Sequence, residues 1–113
     1  METLLILTNL PDETTARNLA AHLVESRLAA CVNIMAPCRS VYYWHGRLEE
    51  TSEVPLLIKA TSSSYAALEA AVREHHPYEL PEIIAVPVTR GLPAYLEWVA
   101  SETTPLSTQI ELC

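Results

Sequence analysis

The sequence predicts an α+β fold whose strands form an antiparallel sheet. Three observations predict it. Short apolar runs and amphipathic helical segments follow one another in the order β-α-β-β-α-β. In the middle of the chain, His45-Gly46 punctuates two extended segments, as a hairpin turn does. The length of 113 residues suits one domain and is too short for two.

Each element has its own signal. Leu4-Leu5-Ile6-Leu7-Thr8 is a short apolar run ahead of Asn9-Leu10-Pro11-Asp12, a buried strand ending in a turn. Asp12 caps a helix with apolar positions Ala16, Leu19, Ala20, Leu23 and Val24, spaced at the 3.6-residue period, while Glu13, Arg17 and Glu25 are left for solvent. Residues 30–35 read as extended, and after Pro37 the β-forming run Ser40-Val41-Tyr42-Tyr43-Trp44 resumes the pattern. Residues 47–60 form the second arm of the hairpin. Pro55 within that arm has no N–H for the ladder, so it belongs at an edge or a bulge. Thr61-Ser62-Ser63-Ser64 offers caps for a second helix through Tyr65, Leu68, Val72 and His75, which Pro77 ends. Residues 82–88 read as a fourth strand, residues 95–100 as a short helix after Gly91-Leu92-Pro93, and residues 108–112 as a last short strand.

This order, with a C-terminal helix appended, is that of a ferredoxin-like split βαβ sandwich. Right-handed crossovers put both main helices on one sheet face and leave the other bare in a monomer. Val41, Tyr42, Tyr43, Trp44, Val54 and Leu57 make the hairpin too apolar for a solvent-facing ribbon, which predicts association between copies.

Composition excludes several classes. The net charge is −7, and the seven basic residues, one of them a lysine, are spread along the chain, which argues against a nucleic-acid partner. No run approaches the roughly 20 apolar residues of a membrane helix. The opening Met1-Glu2-Thr3 carries no basic leader and no cleavage pattern follows, so the expectation is a cytoplasmic protein. Cys31, Cys38 and Cys113 are odd in number and lack CxxC spacing, which fits reduced thiols. No nucleophile–base pair, glycine-rich phosphate loop or three-ligand metal motif is visible, and no enzyme activity is expected.

Four side chains carry chemistry worth weighing. Lys59, the only lysine, closes an apolar strand on whose one face Glu53, Pro55 and Leu57 also project. Glu53 lies about 20 Å away along that strand, so the partner expected for Lys59 is Glu82. Either a structural ion pair or an anion-binding lysine fits. Cys31 is a small buried hydrophobe or a soft-metal thiol suited to Cu(I). His75 and His76 end a helix, where adjacent side chains diverge by about 100°. They serve the helix C-terminus or, because Pro77 breaks the regular geometry, a metal ion.

Four stretches in order resemble the CutA divalent-cation tolerance family. They are Leu28-Ala29-Ala30-Cys31-Val32-Asn33; Tyr43-Trp44-His45-Gly46 with Glu53 and Lys59 downstream; His75-His76-Pro77-Tyr78-Glu79-Leu80-Pro81-Glu82-Ile83; and Tyr95-Leu96-Glu97-Trp98 after Gly91. The resemblance spans essentially the whole chain and implies a single CutA-like domain over residues 1–113. It also implies the ferredoxin-like fold, a homotrimer paired through strands, and a link to tolerance of copper and other divalent metals. His75 and His76 match copper-ligand positions, while a third, a cysteine in the family pattern, is Thr8 here. Tyr42, Tyr43, Trp44, Glu53, Lys59 and Glu82 match a pocket between subunits. The expected function is a trimeric cytosolic protein of copper tolerance that binds the ion weakly. The alternatives are a regulator like the PII signalling proteins, binding a small anion at the subunit clefts, or a trimeric scaffold for another protein.

Overall fold

Alternation along the first strand sets the architecture. In β1 (Thr3–Leu10), Leu4, Ile6, Thr8 and Leu10 are buried, while Leu5, Leu7 and Asn9 between them are half-exposed. The computed structural model describes residues 2–103. After β1 come α1 (Glu13–Glu25), β2 (Cys31–Ile34), β3 (Cys38–Trp44), β4 (Arg47–Thr61), α2 (Tyr65–His75), β5 (Ile84–Pro87) and α3 (Pro93–Glu102), with one 3-10 turn, Ser62–Ser64, between β4 and α2. The expected strand at residues 108–112 lies outside the described residues.

The 15-residue β4 is the spine of the sheet. The strand order is β2-β4-β1-β5, with β3 also paired to β4 and every pairing antiparallel, which is the ferredoxin-like arrangement the sequence indicates. Residues 38–44 and 47–53 form a two-stranded arm closed by Trp44 opposite Arg47. His45 and Gly46 turn it with φ of 51° and 76°, the left-handed pair that a tight two-residue hairpin needs. Pro55 sits at a break in the ladder. Ile34 faces Leu56 and Cys38 faces Glu53, so three residues of the first arm oppose two of β4, Val54 and Pro55. That is a bulge, and Pro55 contributes its carbonyl to Met35 N–H at 2.9 Å.

Asp12 caps α1 as the sequence indicates, its Oδ1 accepting from Thr15 N–H at 2.8 Å. These hydrogen bonds hold the Asp12 carboxyl below its ordinary range. The core lies between the sheet and the helices: Ile6, Leu10, Leu56 and Ile58 from the strands meet Leu19 and Leu23 of α1 and Leu68 and Val72 of α2. The opposite sheet face is only half covered. Leu5, Leu7, Leu57 and Lys59 are partly exposed there, and Ile84 and Val86 of β5 are open to solvent. Lys59 stands in the ladder between Cys31 and Leu5, and its Nζ donates to the Asn33 carboxamide oxygen. No helix of the described residues is long and apolar enough to cross a membrane.

β3 begins at Cys38, two residues before the run read from the sequence, and β5 and α3 also differ in extent from that reading. β5 covers Ile84–Pro87 rather than residues 82–88, because Glu82 turns aside to accept from the Asn9 side-chain amide at 3.4 Å. α3 begins earlier than residue 95, at Pro93, whose fixed φ suits the first helical position.

Candidate functional site

The site is assembled where α2 stops. A residue before proline is pushed out of the helical region, and His76, ahead of Pro77, has φ −86° and ψ 132°. That single extended residue sends the two histidines in different directions. His76 turns inward and is only 7% exposed. Its Nε2–H donates to the Asn9 carbonyl at 2.6 Å, and its Nδ1 accepts from Tyr78 N–H at 3.1 Å. A nitrogen that accepts from an N–H carries no proton, so His76 is the neutral Nε2–H tautomer. Burial lowers its pKa, against the opposing influence of the Asn9 hydrogen bond and the Glu53 charge. His76 thus pins the chain after α2 to the end of β1.

His75, the last residue of α2, remains exposed. Its Nδ1 hydrogen-bonds the Ala71 carbonyl at 2.9 Å, and its ring lies against His22 of α1, centroids 4.3 Å apart and tilted by 36°. The imidazole that stacks on His75 is therefore His22, from a residue 53 positions earlier in the chain.

Pinned by His76, residues 77–82 wall a cavity of about 450 Å³ against the hairpin. Tyr42, Trp44 and Glu53 line it from β3 and β4, Asn9 from β1, and Pro77, Tyr78, Glu79, Leu80 and Glu82 from the loop. Glu53 is only 7% exposed. Glu53 acts on the Tyr78 hydroxyl, whose pKa is pushed up to about 12 by burial, by hydrogen bonding to Glu53 and by the charge of that carboxylate. The phenol therefore stays protonated beside the carboxylate. Tyr78 also packs on His76, ring centroids 4.8 Å apart, so histidine, tyrosine and glutamate form one connected group.

Of the residues expected in a pocket, Tyr42, Trp44, Glu53 and Glu82 line this cavity. Tyr43 and Lys59 do not. Tyr43 is 75% exposed on the hairpin, and Lys59 lies on the open sheet face beside Asn33 rather than against Glu82. Among the described residues of one chain, no lysine or arginine lines the cavity. Cys31 is half-buried opposite Lys59. Thr8 is fully buried in the core, and its Oγ1 has no hydrogen-bond partner among the described residues. No cluster of three or more metal-ligating His, Cys, Asp or Glu side chains occurs among the described residues. Sequence reasoning gave no site role to Asn9, Tyr78 or His22. Tyr78 sits inside a stretch it had quoted and Asn9 follows Thr8, while His22 is revealed only by helix packing.

Known proteins share this sequence pattern and this fold. A frog (Xenopus laevis) protein CutA homolog is 49% identical over 89 residues, 79% of this chain, and the chain spans 59% of that relative's length. A divalent cation tolerance protein of Thermus thermophilus superposes with a TM-score of 0.88 at 41% identity, covering 90% of this chain and 99% of its own. A structure from Archaeoglobus fulgidus, described as a periplasmic divalent cation tolerance protein, gives a TM-score of 0.87 at 33% identity, covering 90% of this chain and 99% of its own. Residues 4–102 match the model of the CutA1 divalent ion tolerance protein, and the chain belongs to that family.

Proposed function

We propose that the chain acts in divalent-cation tolerance as a cytoplasmic, non-enzymatic homotrimer that holds Cu²⁺ or a similar ion weakly. The observation that carries the metal-binding reading is the contact between His22 and His75. Imidazole suits Cu²⁺, which heads the divalent affinity order and so is the ion best held by an incomplete site. A His75 Nδ1–H given to the Ala71 carbonyl leaves Nε2 bare for a metal, the usual way a second partner orients a ligating histidine. Two imidazoles with water in the remaining positions make a weak site. His76 would have to break one of its two hydrogen bonds to ligate, so its role in this reading is to hold the loop.

The trimer rests on the half-covered sheet face and the arm beyond it. Leu5, Leu7 and Leu57 with Ile84 and Val86 form an apolar surface, and Val41, Tyr43 and Leu48 extend it along the hairpin. In that assembly Lys59 and Cys31 face a neighbouring copy, and Cys31 acts as a small apolar side chain rather than a soft-metal ligand.

Calorimetric titration with Cu²⁺ at pH 7.5 tests the metal site. Wild type should bind, a His22→Ala, His75→Ala double variant should lose most of the heat, and His76→Ala should retain it. Equal binding by wild type and the double variant refutes the assignment.

A further inference from the structure

We infer that the gap between the start of α1 and the bulged strand binds a free α-amino acid with an aliphatic side chain, such as leucine. The gap measures about 310 Å³, at the lower end of the range of small-molecule sites. It shares no lining residue with the cavity beside residues 77–82. Glu13 and Arg17 flank it from the first half of α1, whereas His22 lies in the last turn of that helix.

The gap originates in the bulge at Pro55. Residues 35–37 oppose only Val54 and Pro55, and a bulged strand bends from its regular course. Helix α1 starts near the same place, because Leu10 at the end of β1 pairs with Val54. Between helix and bulge an apolar floor remains. Val54 is buried, while Ile34, Met35 and Pro37 stay exposed beside it. Val54 belongs to the core between sheet and helices, so the floor is on the helix side of the sheet and not on the half-covered face assigned to association. Met35 is unbranched and flexible, which suits it to fit an aliphatic chain.

The rim carries one charge of each sign. Arg17 Nη1 meets Glu13 Oε1 at 3.3 Å, with the two side chains 66% and 69% exposed. A pair so open to water is held weakly, and each partner is free to turn to a ligand. An α-amino acid joins a carboxylate and an ammonium through one carbon, so it meets both charges at once. The Arg17 fork takes the carboxylate, Glu13 takes the ammonium, and the aliphatic chain lies on Ile34, Met35 and Val54. An alkylamine or an alkyl carboxylate answers one rim charge only. A metal ion finds a single carboxylate in the lining.

The test uses the full chain labelled at its methionine methyl carbons. Met1 and Met35 are the two methionines, so one of two methyl signals reports on the gap. The probes are L-leucine, isoamylamine (leucine without its carboxylate), isocaproate (leucine without its amine) and glycine (leucine without its chain). Leucine should shift the Met35 signal saturably, with a Kd of about 1 mM, and the other three should not saturate by about 10 mM. Added salt should weaken the binding. Glu13→Gln and Arg17→Gln, both at solvent-exposed side chains, should each weaken it by about fivefold. The His22→Ala, His75→Ala variant should bind leucine as wild type does, which keeps this site separate from the copper assignment. An unmoved Met35 signal, as a neighbouring copy seated over the gap would give, overturns the proposal, and so does equal binding of isoamylamine or isocaproate.

Discussion

Thr8 offers the sharpest quantitative test of the fold. It is fully buried, it faces Leu56 across the ladder, and it shares the core side of β1 with Ile6 and Leu10. Its hydroxyl has no partner among the described residues. A buried polar group left unsatisfied costs about 1–3 kcal/mol. Thr8→Val replaces that hydroxyl with a methyl of similar size and keeps the β-branch, so strand preference and packing volume barely change. The methyl also adds burial worth about 0.8 kcal/mol. The variant should therefore be more stable by about 1–3 kcal/mol, which raises Tm by about 4–8 °C for each kcal/mol in a domain near this size. Thr8→Ala separates the contributions: it loses the hydroxyl but leaves a void, and should fall below the valine variant. The measurement is thermal and urea unfolding at one fixed protein concentration, because any assembly makes Tm depend on concentration. A valine variant less stable than wild type by about 1 kcal/mol would mean that the hydroxyl is satisfied, and the reasoning would fail.

The remaining outcomes rest on the loop, its titrating groups and the assembly. His76→Ala removes the bridge between the Asn9 carbonyl and the Tyr78 N–H and should cost about 1–3 kcal/mol in urea unfolding, with the pKa of Tyr78 falling back as its contact with Glu53 loosens; an unchanged midpoint would refute the pinning role. Because burial lowers the folded pKa of His76, the unfolded chain takes up the proton first; stability should drop as pH falls below about 6.5, and His76→Gln should flatten that part of the profile. Tyr78 gives the alkaline counterpart, with stability lost as pH rises from its ordinary value of 10.0 toward about 12, and Tyr78→Phe should remove that loss. Light scattering should give about three times the 12.5 kDa chain mass at micromolar concentration, and a monodisperse monomer would refute the trimer.

Much of the fold is legible in the sequence because its signals are local. Asp12 three residues before Thr15 marks a cap, Pro77 marks a helix end, and His45-Gly46 marks a turn; each acts within a few residues and each is found where it is read. The bulge opposite Pro55 is legible for the same reason, since a missing N–H must be accommodated wherever the strand pairs. What depends on tertiary geometry is not legible. The partner of Lys59 is set by the β2–β4 register, which places Asn33 diagonally across from it, and no pattern along the chain reveals that register. The meeting of His22 with His75 depends on how α1 and α2 pack, and the shortening of β5 depends on Glu82 reaching Asn9.

The cavity lies between these two cases. Its origin is a local constraint, the extended conformation that Pro77 imposes on His76, and its chemistry is the non-local result. Had α2 continued for one more residue, the two histidines would have remained about 100° apart on a helix surface. Instead His76 reaches the carbonyl that follows Thr8 by one residue, and the backbone of Tyr78 is fixed by the same ring. Tyr78 is then held beside Glu53, a buried carboxylate of β4. Read from the sequence, the histidine pair serves the helix end or a metal, and Glu53 stands too far along its strand from Lys59 to pair with it. Folded, His76 becomes the bolt that closes the loop, and Glu53 faces a cavity walled by Tyr42, Trp44 and Tyr78. That reassignment leaves the exposed His75 to meet His22, and it is this pair, rather than His75 with His76, that the copper titration tests.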